Sequence, residues 1–457
     1  MNRPVIFLSN FQPFITRNIL DSGVLDALAE RSRVVIVVHK YKENLFKERY
    51  QKGNVIVEGI ELAEVVKSRR NKAFIRIADW LLNTNSRRLH KLEVVTRSGG
   101  TVKYYFSLVF TELFSRMKPL KRFMRHIDYR LNNPRPFEQL FVKYSPNIVF
   151  ATDLFSDFDV LLLKNARARR VKNIAMVRSW DNTTGAGYAR FVPDSLIVQN
   201  ELMKKEMFRY HDISGKIVHI SGVPQFEQYL HMVPTGRDEF YRRIGADPGK
   251  RLILFAPAGK FFIDTDWQIC EILKELRDEG RIPHDVQFII RVHPFLPVDL
   301  SRFQKNSNFI IDITGQASAG AVTHTKVGGE LSKEFYQHLF DSLHYSSLIM
   351  NSISSLIVDS IALDKPLITI NFDGWEKDVP ILKSIKRWRL EDNQISWMSF
   401  GATRMVGNKG QLADAINAYL DNPSLDSDAR AAFRRAYCGE YDGRAAERIA
   451  AYVFDHV

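Results

Sequence analysis

Only two cysteines, Cys270 and Cys438, occur in 457 residues. Two thiols exclude a disulfide framework and a thiolate metal cluster, and they favour a reducing compartment. Long hydrophobic runs are missing as well. No 18 consecutive residues are uncharged and apolar, so no membrane-spanning helix is expected. The apolar run inside MNRPVIFLSNFQPF ends after a few residues, too short for the core of a secretory signal. G-x-G-x-x-G, the P-loop pattern G-x-x-x-x-G-K-[ST], H-E-x-x-H, C-x-x-C and G-x-S-x-G are all absent. A dinucleotide site, a P-loop NTPase, a zinc protease, a zinc module and an α/β-hydrolase therefore have no support. Acid is the scarcer charge, with 52 Asp or Glu against 65 Lys or Arg and a net charge of +13. What remains is globular in composition, 45% hydrophobic and 26% charged. The length calls for two domains of about 200 residues.

Short apolar strands alternate with helical stretches along most of the chain. RPVIFLSN, a helix over 15–30 and RSRVVIVVHK open a βαβ pattern. After an interruption it resumes with PNIVFAT, a helix over DFDVLLLKNARARR, KNIAMVRS, DSLIVQN, a helix over ELMKKEMFRYH and KIVHISG. Prolines and glycine in GVPQFEQYLHMVPTGRDEF mark a linker near 223–240. A second series follows: RLILFAPAG, a helix over 265–279, VQFIIRVHPF, NFIIDITG, a helix over 330–342, SSLIMN, a helix from about 354, and PLITINF. Helices fill 409–457. Strands apolar along their whole length suit a parallel sheet covered on both faces. The expected fold is α/β, two Rossmann-like doubly wound domains facing a cleft. The boundaries read as 1–232, 233–440 and a closing helix in 441–457. In such domains ligands sit at the carboxyl ends of the strands.

The interruption has its own character. Residues 61–130 carry 16 Lys or Arg against 6 Asp or Glu, so most of the excess charge lies there. Large apolar residues are interleaved with it, as in ADWLLN and YYFSLVFTELFSRM. This basic helical insertion, about 61–135, suits a helix lying on an anionic membrane surface. Clustered arginines also serve phosphate backbones, and a solvated helical face is the plainest account. The expectation taken forward is an anionic membrane surface and no nucleic acid.

The chemistry-bearing residues gather at strand ends. In MNSISSLIVDSIALDKPLITIN (350–371), Ser352, Ser354 and Ser355 lie at a strand-to-helix turn. Free helix N–H groups and the positive dipole end, with hydroxyl donors, make a phosphate site. Asp359 follows Ser355 by four residues, one too many for a capping box, and is placed to accept from ribose hydroxyls. Plain capping by one serine, with Asp359 exposed, is the competing explanation. RVHPF puts Arg291 and His293 at a strand end, where they would contact a diphosphate or leaving oxygen, or serve structure alone. FAPAGKFF puts Gly259 and Lys260 in the turn after the second domain's first strand, open to a phosphate or sugar. Gly328, Gly329 and Glu330 precede a helix and would touch a base or sugar, or merely cap. In VRSWDNTTGAG, Trp180 offers a sugar-stacking ring, Asn182 an acceptor contact and Asp181 a carboxylate at a strand's end. Asp153 holds the same place on the preceding strand. Either acid, or His293, is a candidate catalytic group, since an acceptor hydroxyl needs a positioned base. Turn bonding by Asp and Asn, with the tryptophan packed, is the alternative. Asn10 and Gln12 lie in the first βα loop, where acceptors dock.

VHPF followed by YSSLIMNSISSLIVDSIALDKPLITI resembles the C-terminal domain of GT-B glycosyltransferases. The likeness is to the branch shared by CDP-glycerol glycerophosphotransferases and bacterial surface-polysaccharide (capsule and O-antigen) transferases. SWDNTTGAG, PDSLIVQNELMKKE and ISGVPQFEQY resemble a stretch of surface-carbohydrate transferases. The resemblance implies a C-terminal donor domain, an N-terminal acceptor domain, no essential metal and no cofactor, the nucleotide-sugar being a substrate. Ser354 and Ser355 would bind the donor diphosphate, with His293 near it and Asp359 on the ribose. Many GT-B enzymes carry glutamate at that last position, and aspartate reaches less far. The expected activity moves a sugar from a nucleotide-sugar to a surface glycan or lipid-linked acceptor, in a cytoplasmic protein peripheral to the inner membrane. Transfer of glycerol or ribitol phosphate from a CDP-alcohol, sugar-nucleotide 2-epimerisation and a non-catalytic glycan- or membrane-binding scaffold are the alternatives.

Overall fold

Both expected βαβ series are present in the computed structural model, which describes residues 3–259, 262–294, 298–313, 330–352 and 354–457. The chain divides into two units. One comprises residues up to Glu227 together with Ala436–Val457, and the other is Gln228–Arg435.

The first unit holds β1 (Val5–Asn10), β2 (Arg33–His39), β3 (Val55–Ile60), β4 (Ile148–Ala151), β5 (Lys172–Met176), β6 (Ser195–Val198) and β7 (Val218–Ile220). They form one parallel sheet in the order β3-β2-β1-β4-β5-β6-β7. Because successive side chains leave opposite faces of a strand, Ile6 and Leu8 join Val34, Ile36 and Val38 in one core. Phe7 joins Val35, Val37 and Val149 in the other. That double burial is why these strands are apolar throughout. β3 has no counterpart in the expected strands, since Glu58 and Gly59 break its run and it lies at the sheet edge.

The basic insertion is helical, with helices Arg69–Trp80, Asn85–Ser98, Thr101–Phe114 and Lys118–Leu131. Ala78, Leu81, Leu82 and Tyr188 form a small core with Phe110 and Phe114. A buried ion network fixes it to the sheet domain. Asp128 accepts from Lys164 Nζ at 2.8 Å and from Arg190 Nε at 2.9 Å. The Lys164 and Asp128 side chains are each only 2% exposed. Among the described residues no helix is long and apolar enough to cross a membrane.

From the prolines, the domain boundary was expected at 232/233 with 441–457 standing alone. The division instead falls at Glu227/Gln228, and the last helix, Ala445–Phe454, sends Ile449, Ala450 and Val453 into the first unit's core.

The second unit holds β8 (Arg251–Ala256), β9 (Val286–Arg291), β10 (Phe309–Asp312), β11 (Ser346–Asn351), β12 (Leu367–Ile370) and β13 (Arg404–Val406). This sheet too is parallel, in the order β10-β9-β8-β11-β12-β13. Ile253, Phe255, Phe288, Ile290, Leu348 and Met350 share one core. Leu252 and Ile289 face the other, with Phe240 and Tyr241. β13, three residues long, is too short to give a periodic signal and was not anticipated.

Candidate functional site

In the second unit the strand order reverses between β8 and β11. Loops leaving two such strands diverge to opposite faces and leave a crevice at their carboxyl ends. The register pairs Asn351 with Ala256, so Gly259 and Ser352 follow adjacent strand ends. Gly259 has φ +93°, a left-handed conformation natural to glycine. Its N–H donates to Asp266 Oδ2 at 2.7 Å, and Ala258 N–H to Oδ1 at 3.0 Å. Burial pushes the Asp266 carboxyl up to about 6. Lys260, Gly328 and Gly329 lie outside the described residues.

The three serines do not act alike. Ser354 Oγ accepts from the Leu356 N–H at 3.2 Å, the local capping bond. Ser355 stands at the N-cap of helix Leu356–Ala362, is exposed, and makes no capping bond with its side chain. Ser352 is buried and its Oγ has no partner. Beside it on the chain, Asn351 is fully buried with both amide atoms unpartnered, and Asn371, just after β12, has an unpartnered Oδ1. Arg389 Nη2 donates to the carbonyls of Ser352 at 2.7 Å and Ile370 at 3.1 Å, tying the ends of β11 and β12 together. Its Nε is also unpartnered, and burial lowers the guanidinium to about 10. A buried polar atom without a partner costs about 1–3 kcal/mol. Several at one crevice mark a place where a polar ligand recovers that cost.

Farther along the sheet, Arg291 ends β9. Its Nη1 donates to Asp312 Oδ2 at 2.6 Å while Nη2 is buried without a partner. His338 Nε2 shares that carboxylate at 3.0 Å. Burial lowers Arg291 from its usual range, although the Asp312 charge opposes this. His293 is partly covered, and burial holds its imidazole down at about 4, so the ring is neutral at neutral pH. Asp359 departs from its expected role. It is buried and its Oδ1 accepts from the Tyr229 hydroxyl at 2.5 Å, so it has a partner inside the domain rather than an open carboxylate.

The first unit has its own switch point, between β1 and β4. Asn10 is buried there, with Nδ2 donating to Thr16 Oγ1 at 3.1 Å and Oδ1 unpartnered. Gln12 is half-buried at the following turn and makes no capping bond. Asp153 is not a free base, because Arg178 Nε donates to its Oδ2 at 2.9 Å and the Phe155 N–H to its Oδ1 at 3.1 Å. Burial raises its pKa while Arg178 opposes. Asp181, on the loop after β5, is exposed. Asn182 is buried with Oδ1 unpartnered. Trp180 was expected as an open sugar platform. Instead it is 8% exposed and stacks on Phe226 with ring centroids 5.9 Å apart.

Four residues of these sites had not been singled out. Asp159 is fully buried, accepts from the Ser9 hydroxyl, and keeps Oδ2 unpartnered. Burial, reinforced by the Asp153 charge, raises it to about 7. It sits within the helix Asp157–Ala168, where no local pattern tells a buried acid from an exposed one. Asn351 ends an apolar strand and Asn371 follows one, a signal available in the letters. Arg389 lies 37 residues from the carbonyl it holds, and no local pattern identifies it.

Comparison with known proteins then bears on this geometry. Residues 188–455 match the family described as CDP-glycerol:poly(glycerophosphate) glycerophosphotransferase, more than half of the chain and all of the second unit. The chain belongs to that family. No curated protein matches the sequence. Among solved structures, this glycerophosphotransferase-family chain is similar to a Listeria monocytogenes protein assigned as a UDP-N-acetylglucosamine 2-epimerase. That pair has a TM-score of 0.56 and 12% identity, with 99% of this chain and 96% of the other covered. The Neisseria meningitidis UDP-GlcNAc 2-epimerase bound to UDP-GlcNAc gives 0.53 and 11%, over 99% and 100%. A glycosyltransferase from Rickettsia africae gives 0.51 and 10%, over the whole of both chains. At these identities the likeness is one of fold. The fold is GT-B, and the family makes the chain a transferase of the glycerophosphate or glycosyl kind.

Proposed function

We propose that this chain transfers an alcohol phosphate, such as glycerol phosphate, from a cytidine-diphosphate donor to a hydroxyl of a glycan or lipid-linked acceptor. The observation that carries the reading is the crevice between β8 and β11. It lies wholly within the family match; its buried Asn351 and Ser352, and the Nε of half-buried Arg389, have polar atoms without partners. These groups, with the Gly259 turn, would bind the donor's phosphates and sugar. In the transfer the acceptor oxygen forms a bond to the phosphorus bearing the alcohol. The phosphoanhydride bond to the nucleotide breaks, CMP leaves with the bridging oxygen, and the acceptor proton passes to a base. Within the first unit Asp181 is exposed and stays a candidate base, whereas Asp153 is engaged by Arg178. His293, neutral at working pH, would hydrogen-bond a phosphoryl oxygen, and Arg291, two residues earlier and paired with Asp312, would offer its unpartnered Nη2.

A second reading, transfer of a sugar from a nucleotide-sugar, keeps support from SWDNTTGAG, which precedes the matched residues and resembles surface-carbohydrate transferases. The two differ in which bond breaks. Attack at phosphorus releases CMP, whereas attack at the anomeric carbon releases a nucleoside diphosphate. Incubation with CDP-glycerol, CDP-ribitol and UDP-, GDP- and TDP-sugars, with released nucleotides resolved by chromatography, separates them. CMP release from a CDP-alcohol is expected. Nucleoside diphosphate release from a sugar donor alone would replace this reading with the second, and turnover of a UDP-sugar without acceptor would point to epimerisation. A thermal shift with the same compounds tests the donor site without an acceptor. At 100 times Kd a bound donor adds about 2.7 kcal/mol. No stabilisation by any of them would leave only a scaffold.

A further inference from the structure

The helix Thr101–Phe114 is apolar on both sides, with Phe110 and Phe114 packed on the small core. Its polar Ser107 and Thr111 are buried, and the Thr111 hydroxyl donates to the Trp80 carbonyl at 2.8 Å and accepts from Lys91 Nζ. Facing away from that contact, Val102, Tyr105, Phe106, Val109 and Leu113 are between 57 and 83% exposed. Their spacing of i, i+3, i+4, i+7 and i+11 places them on one face. From Val102 to Leu113 that stripe is about 17 Å long. An apolar face of this size exposed to water marks an interaction surface.

At the end of the same helix lies a cavity of about 430 Å³ whose lining includes Ser115, Arg116, Lys118, Lys121 and Arg209. Asp212 also lines it and pairs with Lys118 at 3.7 Å and with Arg122 at 2.8 Å. Among the lining residues one carboxylate stands against four cations, and Arg116 also reaches Glu112 Oε1 at 4.0 Å. Ser115 is buried and its Oγ has no hydrogen-bond partner. Lys121 donates to the Tyr210 carbonyl at 2.6 Å, and burial lowers its ammonium to about 8.

We propose that this face docks on an anionic phospholipid bilayer. The stripe of helix Thr101–Phe114 lies among the acyl chains, and the basic cavity at its end takes a lipid phosphate, with the Ser115 hydroxyl as a donor to it. Charge complementarity selects this occupant. An apolar stripe ending in a cationic cavity matches a surface whose phosphates lie one layer above its hydrocarbon. The assignment concerns the first unit and is independent of which donor the second unit binds.

Flotation of the full chain with vesicles of phosphatidylcholine, with and without 30% phosphatidylglycerol, tests it. Binding to the phosphatidylglycerol vesicles is expected, falling steeply with salt. Phe106→Glu/Val109→Glu should lower it at least tenfold, and Arg116→Gln/Lys118→Gln/Arg209→Gln several-fold. Circular dichroism and Tm should match the parent, because the altered side chains are exposed, and CMP release with a soluble acceptor should also be unchanged. Retained binding in either variant overturns the proposal, as does equal binding to neutral vesicles. Chromatography with light scattering gives a third arm. A dimer that Phe106→Glu/Val109→Glu makes monomeric, without vesicle binding, would assign the face to a second copy. Titration with glycerol 1-phosphate gives the fourth. Saturation of the cavity by that soluble phosphate, with no binding to vesicles, would make it a site for a free phosphate and overturn the lipid assignment.

Discussion

Ser352 and Ser355 are three residues apart and opposite in circumstance: one is buried with an idle hydroxyl, the other exposed at a helix start. If the crevice holds the donor, Ser352→Ala should weaken nucleotide binding by about 5–10-fold, the loss of one hydrogen bond worth about 1 kcal/mol. Unfolding free energy should not fall, because the alanine leaves no unpartnered atom. Calorimetric titration beside urea unfolding checks both, and unchanged affinity would remove Ser352 from the site. Asp159 offers a pH test. Its pKa is raised in the folded state from 3.8 to about 7, so the neutral carboxyl is favoured there. Its contribution to stability is therefore complete below pH 4 and is lost as pH rises towards 7. Asp159→Asn keeps an acceptor for the Ser9 hydroxyl and cannot ionise. Between pH 5 and 8 the Tm of the parent should drop relative to the variant, and parallel profiles would contradict this.

The serines, RVHPF and SWDN could all be located at strand ends because strand ends are legible as the place where apolar runs stop. Which side chains were open could not be read there. Trp180 and Asp359 were given ligand roles, yet one stacks on Phe226 and the other is held by Tyr229. Those partners come from segments 46 and 130 residues away, and no local pattern encodes them.

At the scale of elements, the basic insertion shows how charge builds structure as well as surface. Asp128 on helix Lys118–Leu131 is shared by Lys164 and Arg190, all nearly excluded from water. Removing one member of such a network leaves buried charge uncompensated, at about 3–5 kcal/mol. Asp128→Ala should therefore lower the unfolding free energy by that amount, measured by urea denaturation, whereas Glu112→Ala, at an exposed pair with Arg88, should cost less than about 1 kcal/mol. A large loss at Glu112 or none at Asp128 would reverse this ranking. The helical character of 61–135 was legible from composition. The outward apolar face of helix Thr101–Phe114 was not, because a helix apolar on both sides does not report which side is covered.

For the whole molecule, the first unit is closed by residues from the far end of the chain. Ile449, Ala450 and Val453 complete a core begun by Ile6 and Val34. Truncation after Arg435 should therefore damage the N-terminal unit. Ile449→Ala alone should cost about 2–5 kcal/mol. Limited proteolysis of the truncated chain should cut first within residues 1–227, and cleavage confined to 228–435 would contradict that prediction. The alternation of apolar runs and helices determined most of the two parallel sheets, because burial on both faces favours apolar residues along a strand; β3, broken by Glu58 and Gly59, and the short β13 escaped it. The same letters fixed the positions of the strand ends and the excess positive charge of one region. Only tertiary structure decided which polar groups at those ends stay unpartnered, which way the helix Thr101–Phe114 faces, and where the chain's last helix belongs. Each of those depends on side chains brought together from distant segments, and hydrogen bonding and burial are properties of that meeting rather than of either segment alone.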